Sequence, residues 1–301
     1  MFGAGTPRTS SSGTRYSAGR EEGMDALSTR YRHPGSVGGP PLPRTPFPSF
    51  NAPPIPHSSM RIIAAPSLGR AHELAVKMVL EKGWTLVTEN GEATVEFEEM
   101  GIRVETPFAE PMASPCSRFQ RRFLEKYAED LLNGSAAQFE YDYHSRLFDW
   151  GQGLSRSATA IHADQIGYIT RKLASSPVSR RAVAVTWNPP VDEELDDCPC
   201  LQLVQCVVRN GALHLKVVFR SNDMLSAAGA NMFALAHLQK SIADRLGLPC
   251  GSYTHISLVP HVYYRRDLHE LEAFCRRGAE IRPVEEVCRS CGRCPHGAVG
   301  R

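Results

Sequence analysis

Cys198 and Cys200, in the stretch DDCPCLQLVQ (196–205), stand one residue apart where an acidic loop gives way to an apolar run. A cysteine attacks through its thiolate, so the first question is what lies near enough to favour a negative sulfur. Side chains alternate faces along a strand. If a strand already begins at 198, then Cys198, Cys200 and Gln202 point the same way, and Arg220 lies on the strand that returns from a hairpin at Asn210-Gly211. A guanidinium there would lower the thiol pKa. Two cysteines at a strand start read equally well as small apolar side chains, and residue type does not decide between the two.

Other groups could serve the same chemistry. Arg180, Arg181 and Arg220 carry planar, permanently charged forks that match two oxygens of a phosphate, although an arginine pair ahead of a strand is also an ordinary solvated edge. Asn231 offers a donor and an acceptor on one amide, or caps its own helix. His261 and Tyr263, two apart, would share one face of a strand. Near the end of the chain, Cys288, Cys291 and Cys294 form C-x2-C-x2-C, half of a ferredoxin-type spacing; with Cys275 they would supply four thiolates for a structural zinc, and reduced free thiols explain them equally.

The elements that must position these groups follow from periodicity. SLGRAHELAVKMVLEKG (67–83) has a serine cap, helical apolar spacing and a terminal glycine, and helices are likewise predicted over 118–134, 163–176 and roughly 224–246. WTLVTENGEATVEFEEMGIRVETP (84–107) alternates around Asn90-Gly91 as a hairpin. After Pro177, RRAVAVTW and the run from Pro199 to Asp223 read as strands, YTHISLVPHVYYRRD closes as a strand, and LHELEAFCRR as a helix. Hairpins with segregated helices predict an α+β fold with a largely antiparallel or mixed sheet.

Composition sets limits. The first 59 residues hold ten of the 22 prolines and eight of the 24 glycines without apolar periodicity, so residues 1–59 are expected to be disordered, with Met60 the natural opening of the domain. A net charge of +2 without a long basic run gives no reason to expect a nucleic-acid partner. No apolar stretch reaches membrane-spanning length and no signal-peptide core opens the chain, which gives a cytoplasmic expectation and no membrane partner. Nine cysteines in that compartment read as core thiols, ligands or a nucleophile.

Five strings in order, SRRAVAVTWNP (179–189), CPCLQLVQ (198–205), FRSND (219–223), GANMFAL (229–235) and PHVY (260–263), resemble thymidylate synthase, closest to the archaeal type found in methanogens. The resemblance spans about 60–270 and is strongest between 163 and 266. It implies a catalytic domain over 60–274, with a Cys-rich tail at 275–301, paired sheet to sheet as a homodimer.

Carried over residue by residue, the resemblance makes Cys200 the nucleophile that attacks C6 of dUMP, and Cys198 its neighbour. Arg220 and Ser221 match the phosphate-binding pair, and Arg180 and Arg181 match two arginines reaching in from the other subunit. Asn231 matches the reader of uracil, His261 and Tyr263 the pair on the deoxyribose hydroxyl, and Asp223 the acid that contacts the pterin. Tyr143 falls where a tyrosine assists loss of the C5 proton, with Tyr141 close enough to be confused with it. The implied one-carbon donor is methylene-tetrahydromethanopterin or 5,10-methylene-tetrahydrofolate, with no catalytic metal. Two features depart from the family's bacterial pattern: the hairpin loop TENGEAT lacks an arginine, and the chain ends in EEVCRSCGRCPHGAVGR instead of an apolar closing tail. A pyrimidine nucleotide 5-hydroxymethylase and an inactive nucleotide-binding regulator with a metal-bound tail are the rival readings.

Overall fold

The computed structural model describes residues 60–135, 142–151, 162–193, 195 and 197–278. The extension 1–59, Tyr141 and the cysteines at 288, 291 and 294 lie outside the described residues.

Two sheets organise the domain. The larger has six strands in the order β1 (Arg61–Ala65), β4 (Met100–Val104), β9 (Cys250–Ser257), β7 (Ala212–Phe219), β6 (Leu201–Arg209) and β5 (Val183–Val185); β1–β4 and β7–β9 are parallel pairs and the others antiparallel. The smaller runs β2 (Trp84–Val87), β3 (Ala93–Glu96), β10 (Pro260–Val262), β8 (Asn222–Asp223). The sheet is therefore mixed, as the patterning indicates. Both Asn-Gly dipeptides sit at hairpin turns, with Gly91 at φ +79° and Asn210-Gly211 at φ 50° and 73°, the left-handed region that such turns require.

The helices α1 (Leu68–Lys82), α4 (Gln165–Ser175) and α6 (Ala228–Leu246) pack against the larger sheet and α2 (Arg121–Asn133) packs on α6, while α3 (Tyr143–Phe148), α5 (Pro189–Asp192) and α7 (Leu268–Arg277) are shorter. Ser67 and Asp164 cap α1 and α4 through their side chains, satisfying backbone N–H groups that the first turn leaves open. Helix α6 is the central one. Its sequence is apolar around most of its circumference, and twelve of its residues are buried, as expected of a helix enclosed on several sides.

Two predicted boundaries change. The run from Tyr253 to Asp267 is two strands in different sheets, because Leu258 and Val259 turn the chain out of β9 and into β10, with Leu258 N–H bonded to Phe219 O at 2.9 Å. Strand β10 ends at Val262, so Tyr263 follows it. The helix expected from 224 starts at Ala228 because Asp223 Oδ1 accepts from the N–H groups of Leu225 and Ser226 at 3.1 and 3.0 Å, folding a turn ahead of it.

Candidate active site

The β6–β7 hairpin has an open end, and its register determines what meets there. Leu201 pairs with Phe219, so Cys198–Cys200 enters one strand where Arg220–Ser221 leaves the other, and Arg220 N–H bonds to Cys200 O at 2.8 Å. Strand β6 begins at Leu201, so both cysteines precede it, and the same-face expectation for Cys198, Cys200 and Gln202 gives way to a loop held from outside.

Arg220 is what holds it. Nε donates to Pro199 O at 3.0 Å, and Nη2 to Cys198 O at 2.7 Å and Cys198 Sγ at 3.1 Å, while the guanidinium lies 5.8 Å from the centre of the Trp187 ring. The arginine thus touches Cys198 directly and acts on Cys200 through space. Guanidinium has five N–H donors; among the described residues the two on Nη1 have no partner and remain available to an anion.

Cys200 is half-buried. Burial pushes its thiol pKa above the ordinary value; Arg220 opposes that, and Asp197, Cys198 and Asp223 add to it. Beside it, the Tyr143 hydroxyl accepts from Leu201 N–H at 3.1 Å, which brings the phenol from α3 to the residue after the thiol. Helix α3 is anchored by a buried ion pair: Arg146 Nη2 and Nη1 meet the two Asp192 carboxylate oxygens at 2.6 and 3.0 Å, and Nη1 also donates to Thr186 O at 3.0 Å.

The chain leaves β7 through Arg220 and Ser221 into β8, which pairs in parallel with β10, so that His261 lies beside Asp223. His261 is buried, with Nδ1 3.2 Å from Val259 O and 3.5 Å from the Ser221 hydroxyl, and its ring meets Tyr263 edge-on at 4.9 Å. Tyr263 follows β10 and still stands against His261, so the pair survives although the strand does not extend under it. Arg266 stacks on Tyr263 at 3.8 Å and donates to Asp223 Oδ2 at 2.9 Å. Both Asp223 oxygens are therefore engaged, one by the turn and one by Arg266. Asn231 lies in the first turn of α6, buried, its Oδ1 accepting from the Tyr127 hydroxyl at 2.9 Å.

Arg180 and Arg181 stand apart. Both are exposed ahead of the edge strand β5, their backbone carbonyls held by Gln205 and Tyr168 at 3.0 Å each, and among the described residues neither side chain has a hydrogen-bonding or ionic partner. For metal binding, no three His, Cys, Asp or Glu among the described residues form a group that could hold an ion. Cys275, the described member of the expected four-thiolate set, has its thiol pushed up to about 11, mainly by burial.

Three features were not legible in sequence. Tyr127 sits in a helix whose pattern gives no sign that its hydroxyl reaches Asn231. Arg146 and Asp192 are 46 positions apart and look like two surface charges. Asn222, inside FRSND, is buried and donates to His255 Nε2 at 2.8 Å; His255 Nδ1 is 3.0 Å from the Tyr253 hydroxyl and its ring stacks on Phe219 at 4.6 Å. Burial holds His255 down to about 3, so this imidazole is neutral beneath the site.

The family model described as thymidylate synthase matches residues 122–287. A protein of Methanosarcina acetivorans named "Putative thymidylate synthase" is 36% identical over 204 residues, covering 67% of this chain and 89% of the relative. One of the same name from Methanocaldococcus jannaschii is 36% identical over 220 residues, covering 71% of this chain and 96% of the relative, and one from Methanosarcina barkeri is 35% identical over 204 residues, covering 67% and 89%.

Proposed function

The chain belongs to the thymidylate synthase family, and on that premise we propose that it methylates dUMP reductively to dTMP, with Cys200 as the nucleophile. The observation that carries this reading is the brace on the cysteine loop. Arg220 fixes Cys198–Cys200 through two carbonyls while keeping two N–H groups for an anion, so one residue both positions a nucleophile and recognises a phosphate.

In this reading the nucleotide phosphate sits on Arg220 Nη1 and Ser221, and the base projects toward Asn231. Cys200 is a thiol at rest, since burial outweighs the arginine. It gives up its proton to solvent water as sulfur adds to C6, and the electron pair of the C5–C6 π bond moves to C5 and into the C4 carbonyl. Asn231 Nδ2 donates to the oxygen where that charge gathers, a donor already in place before the charge develops. The methylene-pterin, when bound, supplies the one-carbon unit and then the hydride. Tyr143 assists loss of the C5 proton, a role supported by its hydroxyl being anchored on the N–H of Leu201, the residue after Cys200. Departure of the Cys200 sulfur restores the C5–C6 double bond.

His261 and Tyr263 bind the deoxyribose hydroxyl in this reading. A pterin ring carries amino and ring N–H donors, and Asp223 Oδ2, which accepts one bond from Arg266, has a second lone pair for one of them. The residues fit that group.

The homodimer has support of its own. Across the outer face of the large sheet, register aligns Ile62, Gly101, Ile256, Val218, Leu203 and Val185, one from each strand, in an unbroken apolar row. Ile62 is 72% and Val185 43% exposed, a row that a second sheet would cover. Pairing two such faces would bring Arg180 and Arg181, next to β5, toward the partner's phosphate.

The test is product identification with purified protein, dUMP tritiated at C5 and each of the two methylene-pterins. Formation of dTMP with either supports the proposal and identifies the donor. Accumulation of 5-hydroxymethyl-dUMP would replace it with the hydroxymethylase, and tight dUMP binding without product would replace it with a nucleotide-binding regulator.

A further inference from the structure

We infer that Tyr127 is a positioning residue that selects the base, by locking the Asn231 carboxamide in the orientation that fits uracil and excludes cytosine; this rests on the dUMP reading above. Tyr127 lies on α2 and its hydroxyl is 2.9 Å from Asn231 Oδ1. Burial pushes the phenol up to about 12, so the hydroxyl keeps its proton throughout the physiological range and donates. Among the described residues that oxygen is the hydroxyl's one hydrogen-bond partner.

The consequence is a directional amide. An Asn side chain can turn about its last bond and exchange oxygen for nitrogen, so by itself it presents either pattern to a base. Here the exchange would set an NH2 group against the phenol. The phenol oxygen could accept, but its proton would then have no acceptor among the described residues in a largely enclosed position, a costly arrangement. Oδ1 therefore stays toward Tyr127, with one lone pair on the phenol and one left for a ring N–H. Nδ2, which makes no hydrogen bond to a described residue, is left to donate. A donor beside an acceptor matches O4 and N3–H of uracil; cytosine, with an amino group at C4 and a bare N3, would meet donor against donor and acceptor against acceptor.

The experiment measures kcat/KM and Kd for dUMP and dCMP with wild type, Tyr127→Phe, Asn231→Ala and the double variant. Wild type is expected to prefer dUMP strongly. Phenylalanine keeps the ring and removes only the hydroxyl, so the dUMP/dCMP preference should fall roughly tenfold, with dUMP weakened and dCMP strengthened, as the amide becomes free to turn. In the Asn231→Ala background the same change should leave the preference unaltered. A purely packing role would lower both substrates together, and an unchanged preference in Tyr127→Phe overturns the inference. If that variant fails to fold, wild type alone decides: discrimination weaker than about tenfold means the amide is not held. A wild type that binds neither nucleotide would instead refute the dUMP reading, so the two failures are distinct.

Discussion

The Arg146–Asp192 pair links the site to the stability of the whole domain, and a double-mutant cycle measures it. The arginine is 4% and the aspartate 0% exposed, with two charge-paired contacts at 2.6 and 3.0 Å; Thr186 O and the Asn188 N–H complete their hydrogen bonding at 3.0 and 2.6 Å. Arg146→Met leaves a buried carboxylate with one backbone donor, which costs about 3–5 kcal/mol, or roughly 6–20 °C of Tm in a domain of this size. Asp192→Leu leaves the guanidinium stranded in the same way. The double variant removes both charges and should cost well below the sum, because the penalty lies in the uncompensated ion. Urea unfolding of the four proteins gives the numbers. Single changes costing under about 1 kcal/mol, or strict additivity, would show that the pair is not the buried anchor of α3 described above.

Other expectations follow from the same geometry. Tyr143→Phe removes both the acceptor of Leu201 N–H and the proton-transfer hydroxyl, so kcat should fall on the order of 10²-fold while dUMP affinity, measured by calorimetry, changes little. Arg180→Ala/Arg181→Ala and Cys200→Ala homodimers should each be inactive, yet mixing them under subunit exchange should restore turnover, since the heterodimer has one complete site; no recovery would mean that the arginines serve their own subunit. His255 accepts a proton near pH 6.5 when unfolded and only at about 3 when folded, so stability should fall as pH drops from 6.5 toward 3, and His255→Gln should flatten that profile in urea unfolding from pH 7 to 4.

Where sequence succeeded, local rules coincided with tertiary structure. Ser67 and Gly83 bracket α1, and Asn90-Gly91 and Asn210-Gly211 turn two hairpins, because capping and positive φ are properties of a few adjacent residues. The order of the strings was enough to bring Cys200, Arg220, His261 and Tyr263 to one region. It was not enough for contacts. The sequence pattern puts Arg220 beside the reactive thiol, whereas its side-chain contacts are to the Cys198 sulfur and two carbonyls, since the loop precedes β6 and is not part of it. Asp223, which the resemblance makes the acid that contacts the pterin, is also the cap of a turn and the partner of Arg266, a residue 43 positions away, and that distant contact has no signal in its own segment. Tyr127, Arg146 and His255 were invisible for a common reason: a polar side chain that is wholly or partly buried and satisfied by a distant partner leaves no periodicity in its own segment.

The most direct test of the central claim is tritium release from C5-tritiated dUMP by wild type, Cys200→Ala and Cys198→Ala, each with the methylene-pterin that supports turnover. Cys200→Ala should abolish release, and Cys198→Ala should slow it without abolishing it, because Cys198 only meets the arginine that braces the loop. Release that persists without Cys200, or that vanishes only without Cys198, would contradict the assignment of the nucleophile and with it the mechanism.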